Sequence, residues 1–247
     1  MNIIADTHTH TIASTHAYST LQEMVHAAAL KKLYAIAITD HGITMPGAPG
    51  RWYFHNLKVI PHKLEGVLVL RGQETNIIDF NGNIDIEDEC INELDWVVAS
   101  IHSPCIPDQN PSEEAVTNAW MNISENPHVN VIGHSGTSEY KYDYETVIKE
   151  FGHNGKLVEL NESSFLGRKS SISNCKKIME LCKKHSVPII VNSDSHFSSC
   201  VGNFENSLAL LKELDFPEEL VVNSSIDSFQ LYLKKYTDVF KDPLLTL

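Results

Sequence analysis

Short apolar runs, many of them β-branched, alternate along the chain with longer amphipathic stretches. The runs lie at residues 3–5, 35–39, 67–70, 96–100, 129–133, 157–160, 189–191 and 220–222. Brief, nearly continuous apolar segments of this kind predict strands buried on both faces of a parallel sheet. Helices are predicted between them. Residues 21–32 place Met24, Val25, Ala28 and Ala29 on one side after a Ser19/Thr20 start signal, and 112–124 opens on Pro111-Ser112-Glu113. Segments 143–151, 173–185, 203–214 and 226–236 follow the same pattern. Two insertions interrupt the alternation. Residues 45–59 carry Trp52, Tyr53 and Phe54 and read as a loop or lid with one short helix. Residues 75–86 carry Asn81-Gly82-Asn83 between apolar segments, a hairpin signal. Unbroken strand–helix units predict one α/β domain over residues 1–247, and about seven units favour a barrel over an open sheet.

Composition narrows the function classes. Acidic residues outnumber basic ones 32 to 19, for a net charge of −13, which disfavours a surface for long nucleic acids or anionic membranes. At 42% hydrophobic and 21% charged, the chain is of ordinary globular composition. No apolar run approaches the ~18 residues of a membrane span, and the first ten residues lack the basic region of a signal peptide. The 5 cysteines are odd in number and form no C-x-x-C pair, which predicts a reduced, cytoplasmic protein. The 13 histidines are an excess, and their positions matter more than their number.

Nearly every predicted strand ends in a possible metal ligand. The first ends in Asp6-Thr7-His8-Thr9-His10, and its loop adds His16; the second ends in Asp40-His41. Later strands end in Arg71-Gly72-Gln73-Glu74, His102, His134, Asn161-Glu162 and Asp194-Ser195-His196. In a barrel these ends converge on one face, and H-x-H on a strand aims both imidazoles to one side. Imidazoles and carboxylates without a thiol suit Zn²⁺, Mn²⁺ or Fe²⁺. Arg71, Arg168 and Lys169 are candidates to fork onto phosphate oxygens. Asp40 could orient a ligand or cap a turn, and Asn161 and Glu162 could line a pocket. The aromatic insertion could cover substrate or pack its own loop. His26, His55, His62, His128, His153 and His185 fall away from strand ends and read as ordinary polar residues. Cys105 has no base pattern around it and is not expected to act as a nucleophile.

Taken together, Asp6–His10, Asp40-His41, Glu74, His102, His134 and Asp194-Ser195-His196 resemble the PHP family, named for polymerase and histidinol phosphatase. Residues 13–20, the Arg71-Gly72-x-Glu74 step and Asn161-x-Ser163-Ser164-Phe165 are similar to its YcdX-type bacterial phosphatase branch. The resemblance implies a distorted (β/α)₇ TIM-like barrel with three divalent metal ions, usually zinc, at the C-terminal ends of the strands. It assigns His8, His10, Glu74 and Asp194 to one metal. Glu74 would bridge to a second, completed by His102 and His134, and His16, His41 and His196 would hold the third. Ser135 departs from the branch, which has proline there, and the loop around Arg168 is slightly shortened.

Three divalent ions beside two carboxylates and a hydroxide leave a local surplus of about +3, suited to an anionic ester. The reaction this implies is hydrolysis of a small phosphomonoester by a metal-bound hydroxide. Alternatives are a phosphodiesterase or nuclease acting on short oligonucleotides, histidinol phosphatase, and a non-catalytic metal-binding accessory module. An amidohydrolase would need a lysine where His102 stands and a histidine where Asn161 stands.

Overall fold

The computed structural model describes residues 1–241. Its strands are β1 (Ala5–Asp6), β2 (Ala35–Ile38), β3 (Lys63–Leu64), β4 (Val67–Asn76), β5 (Trp96–Ser100), β6 (Val131–Ile132), β7 (Leu157–Asn161) and β8 (Ile189–Asn192). Seven of them run parallel in the order β1-β2-β4-β5-β6-β7-β8, and β3 pairs antiparallel on β4. The strands thus form a nearly closed α/β barrel with surrounding helices, as the alternation predicts.

Closure is made at a seam between β1 and β8. One backbone bridge, Thr9 to Ser195, spans it. Side chains supply the rest: Asn192 Oδ1 accepts from Thr7 N and Oγ1, both at 2.8 Å, and the Asp6 carboxylate accepts from Ser193 N at 3.0 Å. Towards the other end of the strands, Asn223 fills the gap. Its Nδ2 donates to Ala5 O at 2.8 Å and Val191 O at 2.7 Å, and its Oδ1 accepts from Val191 N at 3.1 Å. Residues 220–222 are therefore not the expected strand. Leu220 ends the 3-10 turn Glu218–Leu220 and Val222 opens the turn Val222–Ser224, while Val221 between them makes a single β-bridge to Ile189. A side-chain amide carries the same donor and acceptor as a peptide group, so it completes the ladder where no strand fits.

Strand alternation sorts the core. Ala35, Ala37, Leu68, Leu70, Trp96, Val98, Val131, Leu157 and Ile190 fill the interior, joined by Phe229 and Leu233 of helix Ile226–Tyr236. Ile36, Val69, Val97, Ile132 and Val158 belong instead to the layer that includes residues of the surrounding helices. Helix Leu21–Leu30 starts at a capping box between Thr20 and Glu23 and buries Met24, Val25 and Ala28. Helices Glu113–Glu125 and Tyr144–His153 are capped by Ser112 and Asp143. The expected 75–86 hairpin reduces to one Ile77–Ile84 bridge, because β4 runs on to Asn76 and Asp79 Oδ1 gathers the N–H groups of Asn81 and Asn83. Among the described residues no helix is long and apolar enough to cross a membrane.

Candidate metal centre

Parity along β4 decides what faces the centre. Leu68 and Leu70 point into the barrel, so two-residue alternation carries Gly72 and Glu74 to the same side. Gly72 lies where a Cβ would meet Trp96 O at 2.7 Å, leaving no room for a side chain. Arg71 is on the opposite face. Its Nε and Nη2 donate to Ile60 O at 2.9 and 2.5 Å, and its backbone N donates to Asp95. The expected Arg71 contact with substrate is thereby corrected: the guanidinium is turned away from the cluster and already bonded.

Glu74 is the hub. Its Oε1 lies 3.0 Å from His134 Nε2 and 3.3 Å from Nε2 of both His8 and His102. Its Oε2 lies 2.6 Å from His41 Nδ1 and 3.5 Å from His10 Nε2. Asp194 Oδ1 lies 3.3 Å from His10 Nε2 and 3.6 Å from both His8 Nε2 and His196 Nδ1. His16 completes the group, with Nε2 3.1 Å from His41 Nε2 and its ring centroid 4.6 Å from that of His196. All nine residues are thus gathered from the ends of six of the seven parallel strands, β7 contributing none of them. His134 (φ +23°) and Asp194 (φ +56°) both have left-handed backbone, which is costly for non-glycine residues and concentrates at functional sites.

Several of these atoms are buried without a hydrogen-bond partner: His8 Nε2, both ring nitrogens of His10, Glu74 Oε2 and His196 Nε2. Leaving so many polar atoms unsatisfied costs about 1–3 kcal/mol each, a cost that a cation between them would remove. Three groups have ligand atoms close enough to share an ion: His8, His10 and Asp194; His41, Glu74 and His102; and His10, His41 and His196. Burial, with His41 and His196 alongside, holds His10 well below the ordinary imidazole range. Burial, then the Arg168 charge, brings His134 down to about 4. Both shifts favour the neutral ring, the form that binds metal. At His8 burial opposes the charge, but Glu159, Glu74 and Asp194 together raise it well above its usual value. The nitrogen and oxygen donor set, with no cysteine, fits zinc, manganese or iron.

A supporting layer fixes these rings, and much of it escapes sequence reading. Glu159 Oε1 lies 2.7 Å from His8 Nδ1, while Oε2 accepts from His134 N at 2.8 Å. The available signal was a lone carboxylate at an inward position of an apolar strand, two residues after Leu157. Asn76 Oδ1 meets His102 Nδ1 at 2.7 Å and is itself held by Asp85 through Nδ2. Asp40 binds Thr11, Ser14 and Tyr53, and Ser14 Oγ in turn accepts from His41 N. Asn161 reaches Glu159 and Asp194. Glu162 instead anchors the start of helix Glu205–Glu213 through Asn206 and Ser207.

Arg168 reaches the centre, donating Nη2 to Asp194 Oδ2 at 2.8 Å and leaving Nη1 unpartnered. It helps line a cavity of about 330 Å³ with His16, His41, His102, His134 and His196. Ser135 accepts from Tyr142. In the aromatic insertion, Trp52 is exposed and Phe54 packs with Leu57 and Cys90 of its own neighbourhood. His26, His62 and His185 pair with Glu65, Asp95 and Glu145 outside the centre. Burial pushes the Cys105 thiol up to about 11, unsuited to a nucleophile.

Residues 6–163 match the PHP domain family. The chain belongs to the PHP family. A probable phosphatase of Acetivibrio thermocellus is 46% identical over 235 residues, covering 95% of this chain and 97% of its own length. A probable phosphatase of Clostridium botulinum is 45% identical over 234 residues, covering 95% of this chain and 96% of its own. The histidinol phosphate phosphatase of Lactococcus lactis, crystallised with zinc, L-histidinol and phosphate, superposes with a TM-score of 0.62 at 18% identity. It covers 88% of this chain and 95% of that one, and shows the shared fold. This PHP protein is a hydrolase of the phosphatase class. The family match stops short of Asp194 and His196, which the loop after β8 adds to the cluster.

Proposed function

We propose that this PHP phosphatase hydrolyses small phosphomonoesters at a centre of three divalent metals, with zinc preferred and manganese or iron as alternatives. The carrying observation is the set of buried, unpartnered imidazole and carboxylate atoms around Glu74 and Asp194. His8, His10, Glu74 and Asp194 would hold one ion. Glu74, His102 and His134 would hold the second, and His16, His41 and His196 the third. Ions bound there supply an activated water near neutral pH and positive charge for the ester oxygens.

The remaining steps belong to the chain. Glu159 and Asn76 hold His8 and His102 with one ring nitrogen outward, and Arg168 offers Nη1 to a phosphate oxygen while Asp194 anchors its other arm. A net charge of −13 over the chain, with a cleft that three bound divalent ions would make positive, favours a small phosphorylated molecule over a long polyanion. The zinc, phosphate and small alcohol found with the Lactococcus lactis protein support this reading. The five free cysteines suit a reducing cytoplasm, and residues 1–247 are taken as one PHP domain. The test is metal analysis paired with turnover. Preparations holding about three ions per chain should release phosphate from an aryl monoester, lose that activity to a chelator and regain it with Zn²⁺ or Mn²⁺. Metal-loaded protein that is inert, or that prefers diesters, overturns the proposal.

A further inference from the structure

A second cavity of about 240 Å³ adjoins the metal centre, and Asp194 and His196 line both. Its walls come from three loops: Tyr18 after β1, Ser163 and Leu166 after β7, and Phe197, Cys200 and Asn203 after β8. Tyr18, Leu166 and Phe197 are 72%, 64% and 48% exposed, respectively. Large apolar side chains left in water around one cavity mark a binding surface.

The frame beneath these residues is fixed. Tyr18 N donates to His196 O at 2.9 Å and Ser198 N donates to Ser19 Oγ at 3.0 Å, so the β1 and β8 loops are joined on either side of Phe197. The carboxylates at its wall, Glu162 and Asp194, are already engaged. The Glu162 carboxylate accepts from Asn206 and Ser207, and Asp194 faces the metal centre and Arg168. An apolar cavity of ~150 Å³ suffices for a benzene ring.

We infer that this pocket receives the leaving group of the substrate, and that the substrate is a phosphomonoester of an uncharged alcohol carrying an aromatic ring. The inference rests on the phosphatase reading for the site next to it. Tyr18, Leu166 and Phe197 are specificity residues that contact the ring, and the metal centre takes the phosphate.

The test uses esters with matched leaving-group chemistry, 2-phenylethyl phosphate and ethyl phosphate, on the metal-loaded full chain. The phenylethyl ester should have a KM at least tenfold lower. Phe197→Ala and, separately, Tyr18→Ala and Leu166→Ala should erase most of that difference while leaving ethyl phosphate turnover within twofold. Calorimetry with 2-phenylethylphosphonate and ethylphosphonate, which cannot be hydrolysed, should show the same preference. Ester hydrolysis with no preference for the ring overturns the pocket and spares the phosphatase reading. Preferential phosphonate binding without hydrolysis of either ester supports the pocket and overturns that reading. Equal loss on both substrates in all three variants marks the residues as structural and overturns the inference.

Discussion

Glu159 Oε1 lies 2.7 Å from His8 Nδ1, and this contact turns the opposite nitrogen of the ring towards Glu74 and Asp194. Fixing the tautomer and orientation of a ligating histidine is worth ~10–100-fold in metal affinity. Glu159→Gln should therefore weaken metal retention by about that factor, with activity recovered at higher free Zn²⁺. Competition against a chromophoric chelator measures it. Unchanged affinity would show that Glu159 serves only as an acceptor for His134 N, Asn161 and Asn192.

Metal removal should also destabilise the fold. Ligands that bind only the native state add ~4 kcal/mol at a thousandfold excess over Kd, and each kcal/mol shifts Tm by ~2–4 °C in a domain of this size. Stripping the metals should lower Tm by about 8–16 °C, read by scanning calorimetry, and the His8→Ala, His10→Ala double variant should lose most of this response. A Tm indifferent to metal would contradict binding at the buried cluster.

The seam residue Asn223 makes side-chain hydrogen bonds to both β1 and β8 from a fully buried position. Removing it leaves buried backbone groups of Ala5 and Val191 unpaired. Asn223→Ala should cost about 2–4 kcal/mol in urea unfolding while leaving metal stoichiometry intact. A loss below ~0.5 kcal/mol, the range of an ordinary surface substitution, would mean that the barrel closes without it.

Lys156 supplies a pH signature away from the metal centre. Burial lowers its ammonium to about 8, while Nζ donates to the carbonyls of Asn126 and Val129. Between about pH 8 and ~10.4, the unfolded lysine keeps a proton that the folded one has lost, so this residue makes stability rise with pH. Metal-free wild type should gain stability relative to Lys156→Met across that window, and the gap should be flat below it. Parallel denaturant titrations at several pH values provide the check, and a gap independent of pH contradicts the lowered value.

The chain's local pattern determined the α/β alternation, the helix caps at Thr20, Ser112 and Asp143, and the placing of nine metal-ligand candidates at strand ends. These features depend on periodicity and near neighbours. Arg71 reads in sequence as a phosphate contact, although residues 71 and 74 differ by an odd number and so face opposite sides of one strand. The β1–β8 seam was not legible. Asn223 looks like any polar turn residue until strands 218 and 32 residues away in sequence are brought against it. Glu159 was hidden in the same way: its strand fixes the face, but only barrel closure puts His8, 151 residues distant, within hydrogen-bonding reach. Sequence thus set which donors could meet, and closure of the barrel decided which buried atoms remain unpaired and what must hold them in place.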